Sequence, residues 1–264
     1  MSSIPRCDLH IHTRYLKCAN ETMVVPDVVR ESERLGVSMM GFTDHLHSLE
    51  FLEPHRSIRR DIETLETNIA VYFGVELNFL HRDSGYPFSE AVKEEYGFQY
   101  VLGGIHENYL EEYDLKKLVD IQHRHHLKTC FDPLVDVLVH PYWFNRDRFG
   151  KHWPWFDSMK AVPESYIREL GQAAGETHTA VEINASAILC NPNYSPEFVE
   201  EYMTFLSILA EEGACFSLGS DAHSIEELSR IANAWAAAET LNLPPDRFWI
   251  PKMQPLKGKR LDSR

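Results

Sequence analysis

Residues 7–19 read CDLHIHTRYLKCA and place His10 and His12 two positions apart, soon after Asp8. The alternation of polar and apolar residues is typical of a short strand, in which side chains two positions apart lie on one face. Asp8, His10 and His12 are therefore expected to project together near the end of the strand. Two neutral imidazoles in that arrangement chelate a divalent metal well. The stretch predicts a first strand that ends in metal ligands.

Short apolar runs recur six more times, each with the length and the β-branched or aromatic content of a buried strand. The seven predicted strands cover residues 4–12, 37–45, 69–77, 100–106, 136–141, 179–184 and 214–223. Helical spacing predicts helices at or near 24–36, 57–68, 114–130, 163–174, 196–213 and 225–242. Strands that alternate with helices indicate a parallel, barrel-like α/β fold. No linker divides the chain, so we expect one domain over 1–264, with 244–264 as a C-terminal surface tail.

The composition argues against several classes of protein. With 264 residues, of which 44% are hydrophobic, the chain is long enough to bury a core without disulfides. Its five cysteines are scattered and odd in number, which is typical of reduced thiols in a cytoplasmic protein. No stretch resembles a membrane span or a signal peptide. The net charge of −14 argues against non-specific nucleic-acid binding, which depends on clustered Lys and Arg.

Side chains of metal-binding types stand at the C-terminal end of every predicted strand. In chain order they are His10 and His12; Asp44 and His45; Glu76; His106; His140; Glu182 and Asn184; and Asp221 and His223. In a parallel barrel these ends converge on one face, where active sites are built. A single buried histidine is more often a hydrogen-bonded core residue than a ligand. The recurrence over seven consecutive strands is what indicates a metal centre.

These candidates are too many for one ion, because a catalytic zinc takes about three protein ligands. Eight are present before any cysteine is counted: His10, His12, His45, Glu76, His106, His140, Asp221 and His223. Carboxylates such as Glu76 and Asp221 bridge pairs of ions, so we expect a cluster of two or three divalent metals. Such clusters are common in phosphate-ester hydrolysis.

The remaining histidines at or near predicted helices are expected at the surface: His55, His123, His125, His126 and His178.

Seven segments carry a family resemblance: DLHIHT (8–13), FTDH (42–45), GVE (74–76), GGIH (103–106), VHP (139–141), EIN (182–184) and GSDAH (219–223). In type and order they resemble the motifs of the PHP family, the polymerase and histidinol phosphatase superfamily of metal-dependent phosphoesterases. The resemblance implies a distorted seven-stranded (β/α)7 barrel, similar to a TIM barrel, with two or three zinc, manganese or iron ions. It also implies attack on a phosphate ester by a metal-bridging hydroxide.

Carried over by position, the resemblance implies three metal positions. The first takes His10, His12, Glu76 and Asp221. The second shares Glu76 and adds His106 and His140. The third takes His45, His223 and the residue six positions after the HxH pair, where many family members have histidine and this chain has Cys18.

Cys18 has more than one interpretation. A thiolate is a good zinc or iron ligand, so Cys18 is expected to replace the histidine. The alternatives are a side chain that turns away and leaves the third position weak or empty, or a small loop thiol without a role.

The other candidates are assigned supporting roles. Glu76, Asp221 and His223 are the catalytic candidates, and His223 is a candidate proton donor to the leaving alkoxide. Asp8 and Asp44 are expected either to accept N–H bonds from ligating imidazoles or to fix strand ends. Glu182 and Asn184 are expected to orient ligands, with a satisfied core pair as the alternative.

The loop HPYWFNRDRFGKHWPWF at 140–156 combines aromatic and cationic side chains. Trp143 is expected to stack on a substrate ring. Arg146 and Arg148 are expected to hold a phosphate, and Arg14, in the loop after the first strand, is expected to do the same. The alternative is a loop packed as its own hydrophobic cluster with its cations in solvent.

The length and motifs most resemble the stand-alone histidinol-phosphatase branch. We therefore expect a hydrolase of small phosphomonoesters whose partner is a small-molecule phosphate ester, L-histidinol phosphate first among them. One alternative is the hydrolysis of a nucleotide, an oligonucleotide end, or a non-phosphate amide or lactone. A second is a non-catalytic barrel that binds metal without turnover.

Overall fold

The computed structural model describes residues 4–79, 81, 83–146, 149 and 153–259. Within them, parallel strands form the inner wall: β1 (Cys7–Ile11), β2 (Met39–Phe42), β3 (His45–Leu46), β4 (Ala70–Asn78), β5 (Tyr100–Gly104), β6 (Val137–Leu138), β7 (Ala180–Asn184) and β8 (Phe216–Gly219). The hydrogen-bonded order is β1-β2-β4-β5-β6-β7-β8. The two-residue β3 pairs with β4 beyond the pairing of β2, so β2 and β3 together make one interrupted strand of the barrel. The sheet has the predicted seven strands.

The barrel closes between its first and last strands, at the residues that carry the candidate ligands. Ile11 and Ala222 form a parallel bridge. The His12 N–H donates to the Ala222 carbonyl at 3.2 Å, and the Asp221 N–H donates to the His10 carbonyl at 2.8 Å. These bonds fix the ends of β1 and β8 side by side, which brings their polar side chains together.

Helices surround the sheet: α1 (Val25–Arg34), α2 (Glu53–Thr64), α3 (Glu90–Tyr96), α4 (Leu115–Phe131), α5 (Glu164–Thr177), α6 (Pro196–Glu211) and α7 (Ile231–Leu241). Because helices cover the strands from outside, every residue of β1, β4 and β5 is buried, as is typical of parallel sheets. Among the described residues, no helix combines the length and apolar character needed to cross a membrane.

Several predicted boundaries were wrong for identifiable reasons. The helix predicted at 57–68 begins and ends four residues earlier, because Pro54 starts its first turn. The helix predicted at 225–242 opens as a 3-10 turn over Ile225–Arg230 before α7. The seven-residue α3 was not predicted, although Ser89 caps its start and Gly97 (φ 72°) ends it.

The expected surface position of the helical histidines was also wrong for four of them. His123, His125 and His126 of α4 are buried, and so is His55 of α2. The His126 ring is fully buried against Tyr142, and its Nε2 accepts the Tyr142 N–H at 3.4 Å. A buried imidazole with a backbone partner is a stable core residue, which the polar sequence HRHH does not reveal.

The described part of the C-terminal segment packs across the N-terminal end of the barrel. Phe248 pairs with Phe216 at the start of β8, and Lys257 pairs with Val71 at the start of β4. The Arg247 guanidinium donates to the Ala214 carbonyl at 2.6 Å. The segment thus covers the end opposite the candidate ligands, which leaves the other end open to substrate.

Candidate metal centre

Glu76, near the end of β4, lies at the middle of the centre. Its carboxylate is fully buried, and five imidazole nitrogens from four different places in the barrel converge on its two oxygens. They are His45 Nδ1 at 2.8 Å, His106 Nε2 and His140 Nε2 at 3.1 Å, His10 Nε2 at 3.4 Å and His12 Nε2 at 3.5 Å. One carboxylate cannot satisfy five imidazoles by hydrogen bonds, because each oxygen offers about two lone pairs.

Asp221 supplies a second carboxylate beside the first two histidines. Its Oδ1 lies 3.2 Å from His12 Nε2 and 3.6 Å from His10 Nε2. Two candidate ligands sit in backbone conformations that L residues rarely adopt: Asp221 has φ 54° and His140 has φ 32°. Strained residues of this kind cluster at functional sites.

In the metal-free centre, the carboxylate of Glu76 is negatively charged and the imidazole of His10 is positively charged. Burial alone would raise the pKa of Glu76, but His45, His106 and His10 hold it well below its usual range. Burial likewise opposes a charge on His10, yet Glu182, Asp221 and Glu76 hold its pKa well above the ordinary value. The centre is therefore built to hold positive charge between its carboxylates.

Other imidazoles of the centre are kept neutral. Burial lowers the pKa of His106 to about 3, despite the nearby Glu76. Burial and the neighbouring His223 and His45 also lower the pKa of His12 well below its usual range. A neutral imidazole presents a free lone pair, which is the form that binds a metal.

Three groups of side chains bring ligand-type atoms within 4.8 Å of one another. They are His10, His12 and Asp221; His45, Glu76 and His106; and His12, Cys18, His45 and His223. With His140 added through its contact to Glu76, the structure brings all nine predicted ligands into one centre. Nitrogen, carboxylate and thiol donors in this number suit two or three divalent transition metals, so the residues fit the ions that the sequence predicts.

Glu182 and Asn184 connect the candidate ligands to one another. Glu182 Oε1 lies 2.7 Å from His10 Nδ1, and its Oε2 accepts the His140 N–H at 3.0 Å. The Asn184 amide donates to Glu182 Oε2 at 2.9 Å and to Asp221 Oδ2 at 3.2 Å. Through these contacts Glu182 and Asn184 reach three of the predicted ligands, and Glu182 leaves His10 Nε2 to face the centre; a ligand-orienting role for the pair stays a prediction.

Asp8 and Asp44 fix the backbone and make no contact with a ligating ring nitrogen. Asp8 Oδ1 accepts the Ser220 N–H at 2.8 Å. Asp44 accepts the Thr13 hydroxyl at 2.9 Å and the Thr13 N–H at 3.0 Å. Of the two roles expected for these aspartates, the structure has the strand-end role. Burial raises the pKa of each to about 7.

Two glycines allow the centre to close up. A Cβ at Gly104 would lie 2.5 Å from His106 Cε1 and 2.9 Å from Glu76 Oε1. A Cβ at Gly219 would lie 2.6 Å from His10 Cβ and closer still to Glu182 Oε1. The glycines of the GGIH and GSDAH motifs are therefore required by close approach, not by a turn.

Replacing Glu182 by glutamine is expected to weaken metal binding by about 10- to 100-fold, because His10 loses the carboxylate that orients it. The measurement is zinc affinity by competition with a coloured chelator. Glu169→Gln is the matched control, since Glu169 contacts His123 Nε2 at 2.9 Å outside the centre and is 58% exposed. Equal affinities for the two variants would contradict the role given to Glu182.

A cavity of about 500 Å³ opens above the centre. Its lining includes Cys18, His45, His106, His140, Trp143, Asp221 and His223. Of the three predicted substrate-binding residues that the structure describes, Trp143 alone lines this cavity. Arg14 lies outside it, 3.8 Å from Glu21, and Arg146 lies over the ring of Trp155. Arg148 is outside the described residues.

The sequence did not identify the cation that lines the cavity. Arg230, at the end of the 3-10 turn after β8, is the one Lys or Arg among the described lining residues. It pairs with Glu227 at 3.1 Å, and Glu227 accepts the His223 N–H at 2.8 Å. Ser186, after β7, also lines the cavity, and its buried hydroxyl lacks a hydrogen-bond partner. Ser186 follows the end of β7, which is the signal that would have found it, whereas Arg230 lies at the far end of the 3-10 turn after β8, where the sequence gives no such signal.

The structure has a low likeness to several solved α/β enzymes. A Schiff-base-forming fructose-1,6-bisphosphate aldolase is 14% identical, with a TM-score of 0.38 over 90% of this chain and 83% of that chain. A Yersinia pestis dihydropteroate synthase is 12% identical, with a TM-score of 0.39 over 89% of this chain and 93% of that chain. At such scores the likeness supports no conclusion about fold or activity.

A family model gives a stronger result. The PHP domain model matches residues 8–186, which include His10, His12, Glu76, His106 and His140. Asp221 and His223 follow the matched region and complete the same centre in space. Since the match covers more than half of the 264 residues, the chain belongs to the PHP domain family.

Proposed function

We propose that this protein is a metal-dependent hydrolase of small phosphomonoesters. Membership of the PHP domain family supports metal-dependent hydrolysis. The observation that carries the proposal is the convergence of five imidazole nitrogens on the buried carboxylate of Glu76, with Asp221 beside them. Neutral imidazoles and a carboxylate repel through their lone pairs, and divalent cations between them remove that repulsion.

Two inner metal positions share Glu76. The first uses His10, His12 and Asp221, and the second uses His106 and His140. When bound, a pair of divalent ions lowers the pKa of water towards neutrality and neutralises charge on phosphoryl oxygens. The ions proposed are zinc, manganese or iron.

Residues of this chain orient the ligands of the centre and bury them from solvent on the side away from the cavity. Glu182 holds the His10 ring so that Nε2 faces inward, and Asn184 holds the second oxygen of Asp221. His10, His12 and Glu76 are at most 1% exposed, and among the described residues the cavity is the side on which the centre opens to solvent. Fixed charges in such a site need little reorganisation as charge develops on substrate.

His223 is the candidate proton donor to the leaving alkoxide. Its Nδ1 lies 3.1 Å from the Asp221 carbonyl oxygen, a contact that suits Nδ1 as donor and leaves Nε2 as the nitrogen that can act. The side chain is 34% exposed at the cavity, where a leaving group would depart. Proton donation and metal binding are alternative uses of this nitrogen.

The cavity suits a compact substrate with one anionic group and a ring. Its volume of about 500 Å³ is that of a small-molecule site. Trp143 lies with its ring 5.0 Å from His140 and 5.7 Å from His106, next to the metal positions. Arg230 supplies a guanidinium for a phosphate oxygen. L-histidinol phosphate is the first substrate to test.

The proposed location is the cytoplasm. The scattered, free cysteines support it, because thiols stay reduced there.

Replacing Arg230 by glutamine is expected to raise KM for a phosphomonoester by about 10- to 100-fold with a smaller change in kcat, because a charge-assisted hydrogen bond contributes about 1.5–3 kcal/mol. Steady-state phosphate release measures both constants. Arg146→Gln is the matched control, since Arg146 is exposed and lies outside the cavity. Unchanged KM in Arg230→Gln would remove this residue from substrate binding.

The test of the function is a substrate panel run on metal-loaded protein. It contains L-histidinol phosphate, nucleoside monophosphates, a short 5′-phosphorylated oligonucleotide, and a lactone and an amide without phosphate. We expect phosphate release from the first two classes, and its loss in His106→Ala but not in His81→Ala, whose side chain is exposed. Turnover of the lactone alone would contradict the phosphate proposal. Full metal loading with no turnover of any compound would favour the non-catalytic barrel.

A further inference from the structure

We propose that Cys18, which stands where many members of the family have histidine, makes the metal position that it shares with His45 and His223 selective for zinc-type cations over Mn²⁺ and Mg²⁺. We call this set the outer position. The inference rests on the proposed function, because it adds a third ion to the same centre.

The three side chains of the outer position form a compact group against His12. Ligand-type atoms of Cys18, His45 and His223 lie within 4.8 Å of one another and of His12. Cys18 Sγ is 3.9 Å from His12 Nδ1. The His12 ring centre is 4.5 Å from that of His45 and 4.2 Å from that of His223.

In each histidine of the outer position, Nδ1 contacts an oxygen of a neighbouring residue, which leaves Nε2 for a metal ion. His45 Nδ1 lies 2.8 Å from Glu76 Oε2, which leaves its Nε2. His223 Nδ1 lies 3.1 Å from the Asp221 carbonyl, which also leaves Nε2. Two nitrogens and one sulfur are three protein ligands, the number at a catalytic metal with an open position.

The loop that carries Cys18 is tied down on both sides. Before it, Asp44 accepts the Thr13 N–H and hydroxyl. After it, the Asn20 N–H donates to the carbonyl of His223 at 2.9 Å. Lys17, with φ 60°, turns the chain back so that Cys18 faces the histidines. The thiol is thus placed against the outer position before any ion binds.

Sulfur changes which ion the position prefers. Thiolate ligands favour Zn²⁺, Fe²⁺ and Co²⁺, whereas Mn²⁺ and Mg²⁺ prefer oxygen. The inner positions, built from imidazoles and carboxylates, accept either class. We therefore expect three ions per chain with Zn²⁺ or Co²⁺, and two with Mn²⁺.

Cobalt spectroscopy tests the sulfur ligand directly. Wild-type protein loaded with Co²⁺ should show a sulfur-to-cobalt charge-transfer band in the near ultraviolet. Cys18→Ser should lose the band and one ion. Cys18→His should lose the band but keep the third ion, because imidazole replaces the thiolate. Cys190→Ser is the control, since Cys190 is a half-buried thiol that does not line the cavity.

The outcomes separate this inference from the proposed function. Two bound cobalt ions with phosphate release but no sulfur band would overturn the outer position and leave the hydrolase intact. A sulfur band without turnover of any phosphate ester would support the outer position and contradict the substrate. Protein that binds no cobalt would overturn both.

Discussion

Glu76→Gln is expected to lower kcat/KM by about 10³-fold or more and to reduce bound metal to one ion or none. The substitution keeps the size of the side chain but removes the charge on which five imidazoles converge. It also turns an amide N–H₂ towards nitrogens that need their lone pairs for metal. Removing one partner from a buried charged cluster costs about 3–5 kcal/mol, and about 1.4 kcal/mol corresponds to a factor of ten.

The measurement is elemental analysis of metal per chain together with phosphate release for the same preparation. Glu169→Gln serves again as the control, because it removes a carboxylate from a histidine outside the centre. Circular dichroism should give the same secondary structure for both variants. A variant that keeps its metals and loses only turnover would show that Glu76 is a catalytic base and not a shared ligand.

The order of polar residues along the sequence was sufficient to predict where the centre lies. Each candidate ligand follows a run of apolar residues, and the parallel topology carries all those strand ends to one face. His10, His45 and His106 are more than 30 residues apart in sequence, yet all three contact Glu76. The positions of Glu182 and Asn184 follow the same rule, since both stand at the end of β7 and contact predicted ligands.

The sequence could not predict how the loops fold or where they place their side chains. Arg14 and Arg146 adjoin the motifs in sequence, but their loops turn them towards Glu21 and Trp155. Arg230 is seven residues beyond His223, and only the 3-10 turn at Ile225–Arg230 returns it to the cavity. The buried histidines of α4 were missed because a polar sequence does not reveal the partners that the fold brings to their rings: the Tyr142 N–H donates to His126, and the Glu169 carboxylate contacts His123.

Removing the metals with a chelator is expected to lower activity by at least about 10³-fold and Tm by about 10 °C. A ligand present at about 1,000 times its Kd stabilises the folded state by about 4 kcal/mol, and about 2–4 °C follows from each kcal/mol in a domain of this size. Re-addition of Zn²⁺ or Co²⁺ should restore both. Activity that survives in protein shown to be metal-free would contradict the proposed function.

The effect of pH on this experiment follows from two histidines. Carboxylates hold the pKa of His10 well above its usual value despite burial, and Glu76 and Asp221 raise that of His45 in the same way. A metal needs unprotonated ligands, so filling the centre with Zn²⁺ should release about two protons from these histidines and a third from the Cys18 thiol, whose pKa burial raises, and binding should tighten as pH rises. Calorimetry in buffers of different ionisation enthalpy counts those protons.

The stability of the fold should depend on pH differently in the metal-free and the metal-loaded protein. A histidine with a raised pKa stabilises the metal-free fold below the unfolded value near 6.5, and that stabilisation is lost as pH rises through the folded pKa. Asp8 and Asp44, whose pKa values are about 7, have the same sign up to about pH 7, and the lowered pKa of His106 acts only below about pH 6.5. From pH 7 to 8 the metal-free protein should therefore lose stability, whereas the loaded protein, in which metal has already displaced both protons, should not. The difference in Tm between the two should widen, and a constant or narrowing difference would mean that His10 and His45 are not the groups displaced by metal.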